Sequence, residues 1–142
     1  MKTIFINEND AVRNWYLVDA ANQPVGRVAA KVAAIVRGKN KASFARNQEM
    51  GDFVVIINAE KVIVTGNKAE DKLYRHYTGF VGGLRSYNFN KTIERHPTDP
   101  LRIAINGMLP HNRLGRKLQD SVKIYAGSEH PHKSQNPQPV EL

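Results

Sequence analysis

A continuous apolar run from Phe53 to Ile57 (FVVII) constrains the fold of this chain more than any other feature. A short run of aromatic and β-branched residues without alternation is typical of a strand buried on both faces of a parallel sheet. Residues 15–20 predict a second strand, and residues 25–37 predict a helix between the two. The apolar residues of that helix recur at helical spacing: Val25, Val28, Val32, Ile35 and Val36. Strand, helix and strand together indicate a βαβ unit with a right-handed crossover.

Shorter elements are predicted after this unit. Residues 62–64 and 73–77 favour short strands, the second of them beside a Thr78-Gly79 turn. Asn88 is placed to cap a helix that runs to Arg95, because its side chain can accept a hydrogen bond from the free N–H groups at a helix start. The middle of the chain therefore alternates strand and helix.

The segment from Asp99 to Gly127 predicts a helix, a basic connection and a short strand. Asp99-Pro100 is a favourable helix start, with an N-cap acceptor followed by proline at the first helical position. Gly107 can take the left-handed conformation that closes a helix, and Pro110 prevents the helix from resuming. Leu101, Ile105 and Met108 form the apolar stripe of this predicted helix. The cations of the predicted connecting segment are Arg113, Arg116 and Lys117.

These elements predict an α/β fold: a three-layer α/β/α arrangement around a small, largely parallel four-stranded sheet, with extended N- and C-terminal arms. No internal repeat or interdomain linker is visible, and 142 residues suit a single domain with its own core. We place an N-terminal arm at residues 1–13, one α/β domain at 14–128 and an extended C-terminal tail at 129–142.

The charge balance favours a polyanionic partner. Lys and Arg number 21 against 13 Asp and Glu, which gives a formal net charge of +8. Such an excess favours nucleic acid, because cations gain free energy by displacing counterions condensed on phosphates. No amphipathic basic helix, lipidation motif, signal peptide or membrane-spanning apolar run is visible. We expect no membrane partner and a cytoplasmic location.

The sequence contains no recognisable motif for catalysis or cofactor binding. The chain has no cysteine, which excludes disulfides and thiol chemistry. The segment 79–83 (GFVGG) fits neither a P-loop nor a dinucleotide fingerprint, and Ser128 lacks a nucleophile-elbow sequence. His130 and His132 could in principle chelate a metal, but contacts with phosphate or bases are favoured. We expect no enzyme activity, no cofactor, no metal and no small-molecule substrate.

Basic residues instead gather in four clusters separated by apolar segments. Any one cluster alone is more often a solvated surface, but four of them suggest RNA contacted on several sides. Arginine pairs with phosphate through two hydrogen bonds and stacks on bases, and tyrosine supplies a stacking face. Because no single-strand recognition motif accompanies them, we expect recognition of folded RNA shape and backbone. The residues predicted to bind RNA are Arg27 and Lys31 in the first cluster, Arg37, Lys39 and Lys41 in the second, Lys68, Lys72, Arg75, His76, Tyr77 and Arg85 in the third, Arg113, Arg116 and Lys117 in the fourth, and the tail histidines His130 and His132.

Five sequence blocks, taken in order, resemble the bacterial form of large-subunit ribosomal protein thirteen. The blocks are residues 15–20 with 26–27 and 37–39, residues 51–61 with 65–68, residues 71–72 with 78–84, residues 105–117, and residues 122–132. The resemblance covers almost the whole chain. The chain departs from the family pattern at Asn40, Tyr77, Val81 and Asn106.

The resemblance implies a structural constituent of the large ribosomal subunit that binds large-subunit (23S) rRNA and enters early in assembly. Its implied partners are that rRNA and neighbouring ribosomal proteins, so the expected location is the cytoplasmic ribosome. An alternative is that free copies bind their own messenger RNA and repress its translation. A third possibility, an RNA-acting enzyme, would require turnover of an RNA substrate.

Overall fold

The computed structural model describes residues 6–141 of the chain. Its strands are β1 (Trp15–Asp19), β2 (Phe53–Ile57), β3 (Leu73–Tyr77), β4 (Leu84–Asn88), β5 (Val122–Ile124) and β6 (Gln138–Pro139). Its α-helices are α1 (Val25–Arg37), α2 (Lys68–Asp71), α3 (Phe89–Arg95), α4 (Asp99–Met108) and α5 (Arg113–Asp120). None of the helices within residues 6–141 combines the length and the apolar character that crossing a bilayer requires.

A parallel sheet in the order β5-β2-β1-β6 organises the fold. β1 and β2 pair along their whole length, from Trp15 opposite Phe53 to Asp19 opposite Ile57. The three central residues of β2 are fully buried, as its uninterrupted apolar sequence predicts. The α/β class and the small, parallel, four-stranded sheet are therefore confirmed.

Helix α1 has the predicted bounds and contributes much of the core. Val28, Val32 and Val36 are completely buried, and α4 packs against α1. The helix ends at Gly38, which has a φ of +80° and lies directly against the backbone of Met50. A side chain at this position would be strained by the backbone and crowded by Met50, so glycine is required where the chain leaves the helix.

A separate antiparallel hairpin, β3 with β4, follows the βαβ unit. β3 occupies the predicted residues, whereas β4 was not predicted. Helix α3 packs against both strands. Its start is capped as predicted, because the Oδ1 of Asn88 accepts a hydrogen bond of 3.1 Å from the backbone N–H of Lys91.

The prediction that Gly107 closes α4 is wrong. The helix begins at Asp99, one residue earlier than predicted, and continues through Gly107 to Met108. It ends at Leu109, whose extended backbone (φ −85°, ψ 158°) is the conformation that a following proline imposes. Pro110 therefore ends the helix, and Met108 is partly exposed instead of lying on the buried stripe.

The prediction of a connecting segment at residues 113–117 is also wrong, because these residues form the first part of α5. The Oδ1 of Asn112 accepts a hydrogen bond of 2.8 Å from the N–H of Gly115 and caps the helix. Gly115 is buried against the preceding turn, where a Cβ would stand 1.7 Å from the carbonyl oxygen of Pro110. Leu118 is buried one turn beyond Leu114 and anchors the helix to the core.

The segment 62–64 and the two predicted arms differ in detail from the expectations. Residues 62–64 form only a bridge between Ile63 and Pro24, not a strand. Residues 1–5 of the N-terminal arm lie outside the described residues, and Glu8–Asp10 form a 3-10 turn. The tail forms a 3-10 turn at His132–Gln135 and then extends as β6 along β1, so it contributes to the sheet.

Candidate nucleic-acid interface

Cations from the first and third predicted clusters meet at one cleft. The cleft has a volume of about 350 Å³ and lies between the start of α1 and the region around α2. Arg27, Lys68 and Lys72 line it, and all three residues are exposed. Lys31 lies one turn beyond Arg27 on α1 and is also exposed. The fold thus brings together cations that are some forty residues apart in sequence, to form a concave basic surface.

The hairpin carries the rest of the third cluster. Arg75 lies opposite Ser86, His76 opposite Arg85, and Tyr77 opposite Leu84. The predicted contact residues on both strands are exposed: Arg75, His76, Tyr77 and Arg85. No acidic residue occurs in the sequence between Asp71 and Glu94, so the charged side chains of the hairpin itself are all basic.

Helix α5 presents the last cluster as a single stripe. Arg113, Arg116 and Lys117 are exposed and are spaced three and four residues apart, which places them on one face of a helix. The buried residues of α5, Gly115 and Leu118, anchor its other side. Because these residues form a helix and not a connecting segment, the three cations lie together on one rigid basic face.

Lys41, from the second cluster, is engaged inside the protein. Its ammonium donates to the Oδ1 of Asp52 at 2.5 Å and to the carbonyl oxygens of Val12 and Met50 at 2.7 and 3.1 Å. An ammonium has three N–H donors, so all of them are used. Asp52 has no exposed side-chain area. We therefore remove Lys41 from the candidate surface.

The other members of the second cluster lie near α1. The guanidinium carbon of Arg37 lies 5.9 Å from the centroid of the Phe44 ring, an arrangement that favours a cation–π contact. Arg37 is partly buried, whereas Lys39 is exposed. Lys39 is therefore accessible to RNA, and Arg37 is partly accessible.

The two tail histidines take part in an aromatic cluster. The Nε2 of His132 lies 2.8 Å from the phenolic oxygen of Tyr125, and its ring lies 5.2 Å from the Trp15 ring. Nδ1 of His130 accepts a hydrogen bond from the backbone N–H of His132. Burial, then the positive charges of His130 and Lys123, lowers the pKa of His132. His132 therefore anchors the tail, and we also remove it from the candidate surface.

Asp19, at the carboxyl end of β1, holds a turn together. Its Oδ1 accepts hydrogen bonds of 2.9 Å from the side-chain amide of Asn58 and from the backbone N–H of Ala21. These bonds, the one from Asn58 first, lower the pKa of Asp19. The ionised carboxylate thus holds the end of β1 to Asn58, the residue that follows β2. Among residues 6–141, no three His, Asp or Glu side chains converge as metal ligands.

Sequence reasoning missed the exposed apolar side chains of the hairpin, above all Phe80 and Leu84. A phenylalanine inside a glycine-rich turn was an available signal, because a turn of this length cannot bury a large ring. Leu84 could be located only with its cross-strand partner Tyr77, since β4 was not predicted.

Comparison with known proteins gives consistent results over the full chain. The profile of a family described as Ribosomal protein L13 matches residues 13–131. The large ribosomal subunit protein uL13 of Treponema denticola is 64% identical over 142 residues, which cover 100% of both chains. The protein of the same name from Treponema pallidum (strain Nichols) is 59% identical over 140 residues, and that of Symbiobacterium thermophilum is 50% identical over 141 residues, each covering 99% of both chains.

Proposed function

The chain belongs to the ribosomal protein L13 family, and from this premise we propose that it is a structural constituent of the large ribosomal subunit that binds large-subunit rRNA. The observation that carries the RNA-binding role is the placement of exposed cations in three regions of the protein. These are the cleft between α1 and α2, the β3–β4 hairpin, and the stripe on α5. A protein that contacts one duplex needs one basic region, whereas basic residues on several elements suit a protein with several RNA contacts.

The mechanism is charge neutralisation combined with fit to the RNA surface. Each cation that pairs with a phosphate releases condensed counterions and lowers the repulsion between adjacent RNA segments. The rigid elements under the cations fix their spacing, so that only RNA segments at matching positions are held. The proposed contact set is Arg27, Lys31, Arg37, Lys39, Lys68, Lys72, Arg75, His76, Tyr77, Arg85, Arg113, Arg116, Lys117 and His130.

The same arrangement supports early entry into the assembling subunit. A protein with basic surfaces on several elements has to be in place before the RNA segments that contact those surfaces pack together. Neighbouring ribosomal proteins are then partners at the subunit surface, and the site of action is the ribosome. The role is architectural and involves no catalysis.

A salt titration with the full-length chain and a large-subunit rRNA transcript tests the proposal. The logarithm of the affinity should fall steeply with the logarithm of the salt concentration, because each phosphate contact contributes roughly 0.7–0.9 to the slope. Replacing Arg113, Arg116 and Lys117 together by glutamine should reduce the slope by about 2–3 and leave the melting temperature nearly unchanged. Glutamine is chosen because it is a good helix former.

A charge-matched control keeps the experiment specific. Replacing Lys61, Arg102 and Lys133 by glutamine removes the same charge from exposed positions outside the proposed contact set. This control should retain most of the wild-type slope. A nearly flat salt response of the wild-type protein would refute the mechanism, and equal losses in both triple variants would refute the assignment of the α5 stripe.

A further inference from the structure

The tip of the β3–β4 hairpin holds two apolar side chains away from the protein. The backbone N–H of Thr78 donates to the carbonyl oxygen of Gly83 at 3.1 Å, and the N–H of Gly83 donates to that of Phe80 at 2.9 Å. Gly79 and Gly82 have φ values of +89° and +70°. Phe80 is 78% exposed, and Val81, the next residue, is fully exposed. The turn is therefore hydrogen-bonded into one shape that presents an aromatic ring to the surroundings.

One face of the hairpin is packed and the other is open. Tyr74 and Tyr87, which pair across the strands, are partly buried, and the guanidinium of Arg95 in α3 lies 4.6 Å from the Tyr87 ring. Tyr77 and Leu84 pair on the opposite face and are each 59% exposed. Because side chains alternate along a strand, Leu73 and Arg75 share that open face with Tyr77. Leu73 is 49% exposed, so the open face of β3 carries exposed apolar or aromatic side chains on both sides of Arg75.

The charge around this surface identifies the chemistry of its partner. Exposed aromatic and aliphatic side chains grouped together mark an interaction site. The sequence from Lys72 to Ile93 has no acidic residue and contains Arg75, Arg85 and Lys91. A matching ligand has flat apolar faces and regularly spaced negative charges. Unpaired nucleotides have both, whereas a paired duplex offers phosphates but keeps its base faces stacked inside.

We propose that the open face and tip of the hairpin form a stacking platform for unpaired nucleotides. Tyr77 and Phe80 stack on bases, and Arg75, on the same face as Tyr77, holds a flanking phosphate. The inference rests on the proposed binding of rRNA and specifies which part of the RNA this element takes: a loop, bulge or strand end. The basic surfaces of α1 and α5, by contrast, contact the backbone of folded RNA.

Two probes and one double variant test the platform in the full-length chain. The probes are a single-stranded oligoadenylate that carries one 2-aminopurine and a blunt RNA duplex of the same length. Replacing Tyr77 and Phe80 by alanine should weaken binding of the single strand by about tenfold or more and abolish the stacking-induced change in 2-aminopurine fluorescence. Affinity for the duplex and the salt slope for the single strand should stay at the wild-type values, because no cation is removed.

Matched variants separate stacking from other effects. Tyr77→Phe and Phe80→Tyr retain the rings and should bind like the wild type. Ile103→Ala with Met108→Ala removes two exposed apolar side chains of α4 and should also leave binding unchanged. A melting curve shows whether each variant is folded, which is expected because each substituted side chain is about half exposed or more.

The outcomes distinguish this inference from the proposed function. Suppose that the wild type binds the rRNA transcript and that the double alanine variant binds both the transcript and oligoadenylate with wild-type affinity. The platform is then refuted and the proposed function stands. If the variant binds RNA normally but enters large subunits poorly, the hairpin docks on a protein and the platform is refuted. If oligoadenylate binding depends on Tyr77 and Phe80 while the transcript is not bound, the platform stands and the proposed function fails.

Discussion

Strands β2 and β3 have the same length of five residues and opposite relationships to the rest of the molecule. In β2 the sequence FVVII is buried on both faces, with its three central residues fully inaccessible. In β3 the sequence LYRHY leaves every residue except Tyr74 exposed. The need to pack in the core therefore explains why β2 consists of apolar residues, whereas burial does not explain the choice of residues in β3. The residues of a strand that is this exposed are better explained by what the protein binds.

The strongest test of this comparison introduces one negative charge into the parallel sheet and one into the hairpin. Val55→Asp puts a carboxylate in the centre of the sheet, where it has neither water nor a partner. We expect a loss of more than about 4 kcal/mol, comparable with the whole stability of a domain of this size, and hence no cooperative thermal transition. Circular dichroism during heating measures it.

The matched change in the hairpin is Ser86→Asp, at an exposed position of β4. It should shift the free energy of unfolding by less than about 0.5 kcal/mol. It should nevertheless weaken RNA binding, because it puts an acid beside Arg75. A cooperative melt for Val55→Asp, or an unfolded Ser86→Asp, would contradict the division between the two regions.

Two lysines predicted to have the same role provide the next test. Lys41→Met removes the ammonium that neutralises the buried Asp52, whereas Lys72→Met removes an exposed ammonium that lies 5.3 Å from the Tyr74 ring. Breaking the buried pair should cost about 3 kcal/mol, and the loss of the exposed cation less than about 1 kcal/mol. Urea denaturation gives both values.

For RNA affinity we expect the larger loss with Lys72→Met and the smaller with Lys41→Met. Folded Lys41→Met should bind rRNA like the wild type, because its ammonium donors are already used inside the protein. Lys72→Met should lower both the affinity and the salt slope, by roughly 0.7–0.9 for one phosphate contact. A weaker effect of Lys72→Met than of Lys41→Met on RNA binding would overturn the removal of Lys41 from the surface.

The smallest expected effect concerns His132, whose pKa is lowered from its ordinary value of 6.5 by burial and by the charges of His130 and Lys123. The unfolded chain therefore binds this proton more tightly than the folded protein. The stability it contributes is complete above pH 6.5 and is lost as the pH falls through the lowered folded-state pKa. His132→Gln should thus reduce the decrease in melting temperature between about pH 7.5 and pH 5.

The parts of the fold that were predicted correctly are those with strong local patterns. The helix α1 has five apolar residues in register, and its bounds were found to the residue. The strand β2 needs only its own sequence to be recognised. By contrast, β4 (LRSYN) has a weak pattern and exists because β3 lies beside it. The two residues of β6 are a strand only because β1 offers an open edge.

The differences between the expected and the observed surroundings of the candidate residues have equally local causes. The cations and Gly115 in residues 113–117 favoured a turn, although the cap Asn112 and the four-residue spacing of Leu114 and Leu118 indicated a helix. Apart from Arg37, the Arg and Lys residues that remain candidates are exposed, as charged side chains on a protein surface usually are. The pairing of Lys41 with Asp52 could not be predicted, because it depends on how a loop folds over the end of β2.

The pairing of β6 with β1 links folding to the order of synthesis. Tyr16 lies opposite Gln138, and the N–H of Val140 donates to the carbonyl oxygen of Leu17 at 2.9 Å. As the ribosome makes a chain from its N-terminus, β1 emerges long before β6 and leaves one edge of the sheet unpaired in the meantime. An unpaired edge is a template for aggregation, and pairings between distant segments form slowly. Every nascent copy of this protein therefore passes through a vulnerable interval that ends only when its tail arrives.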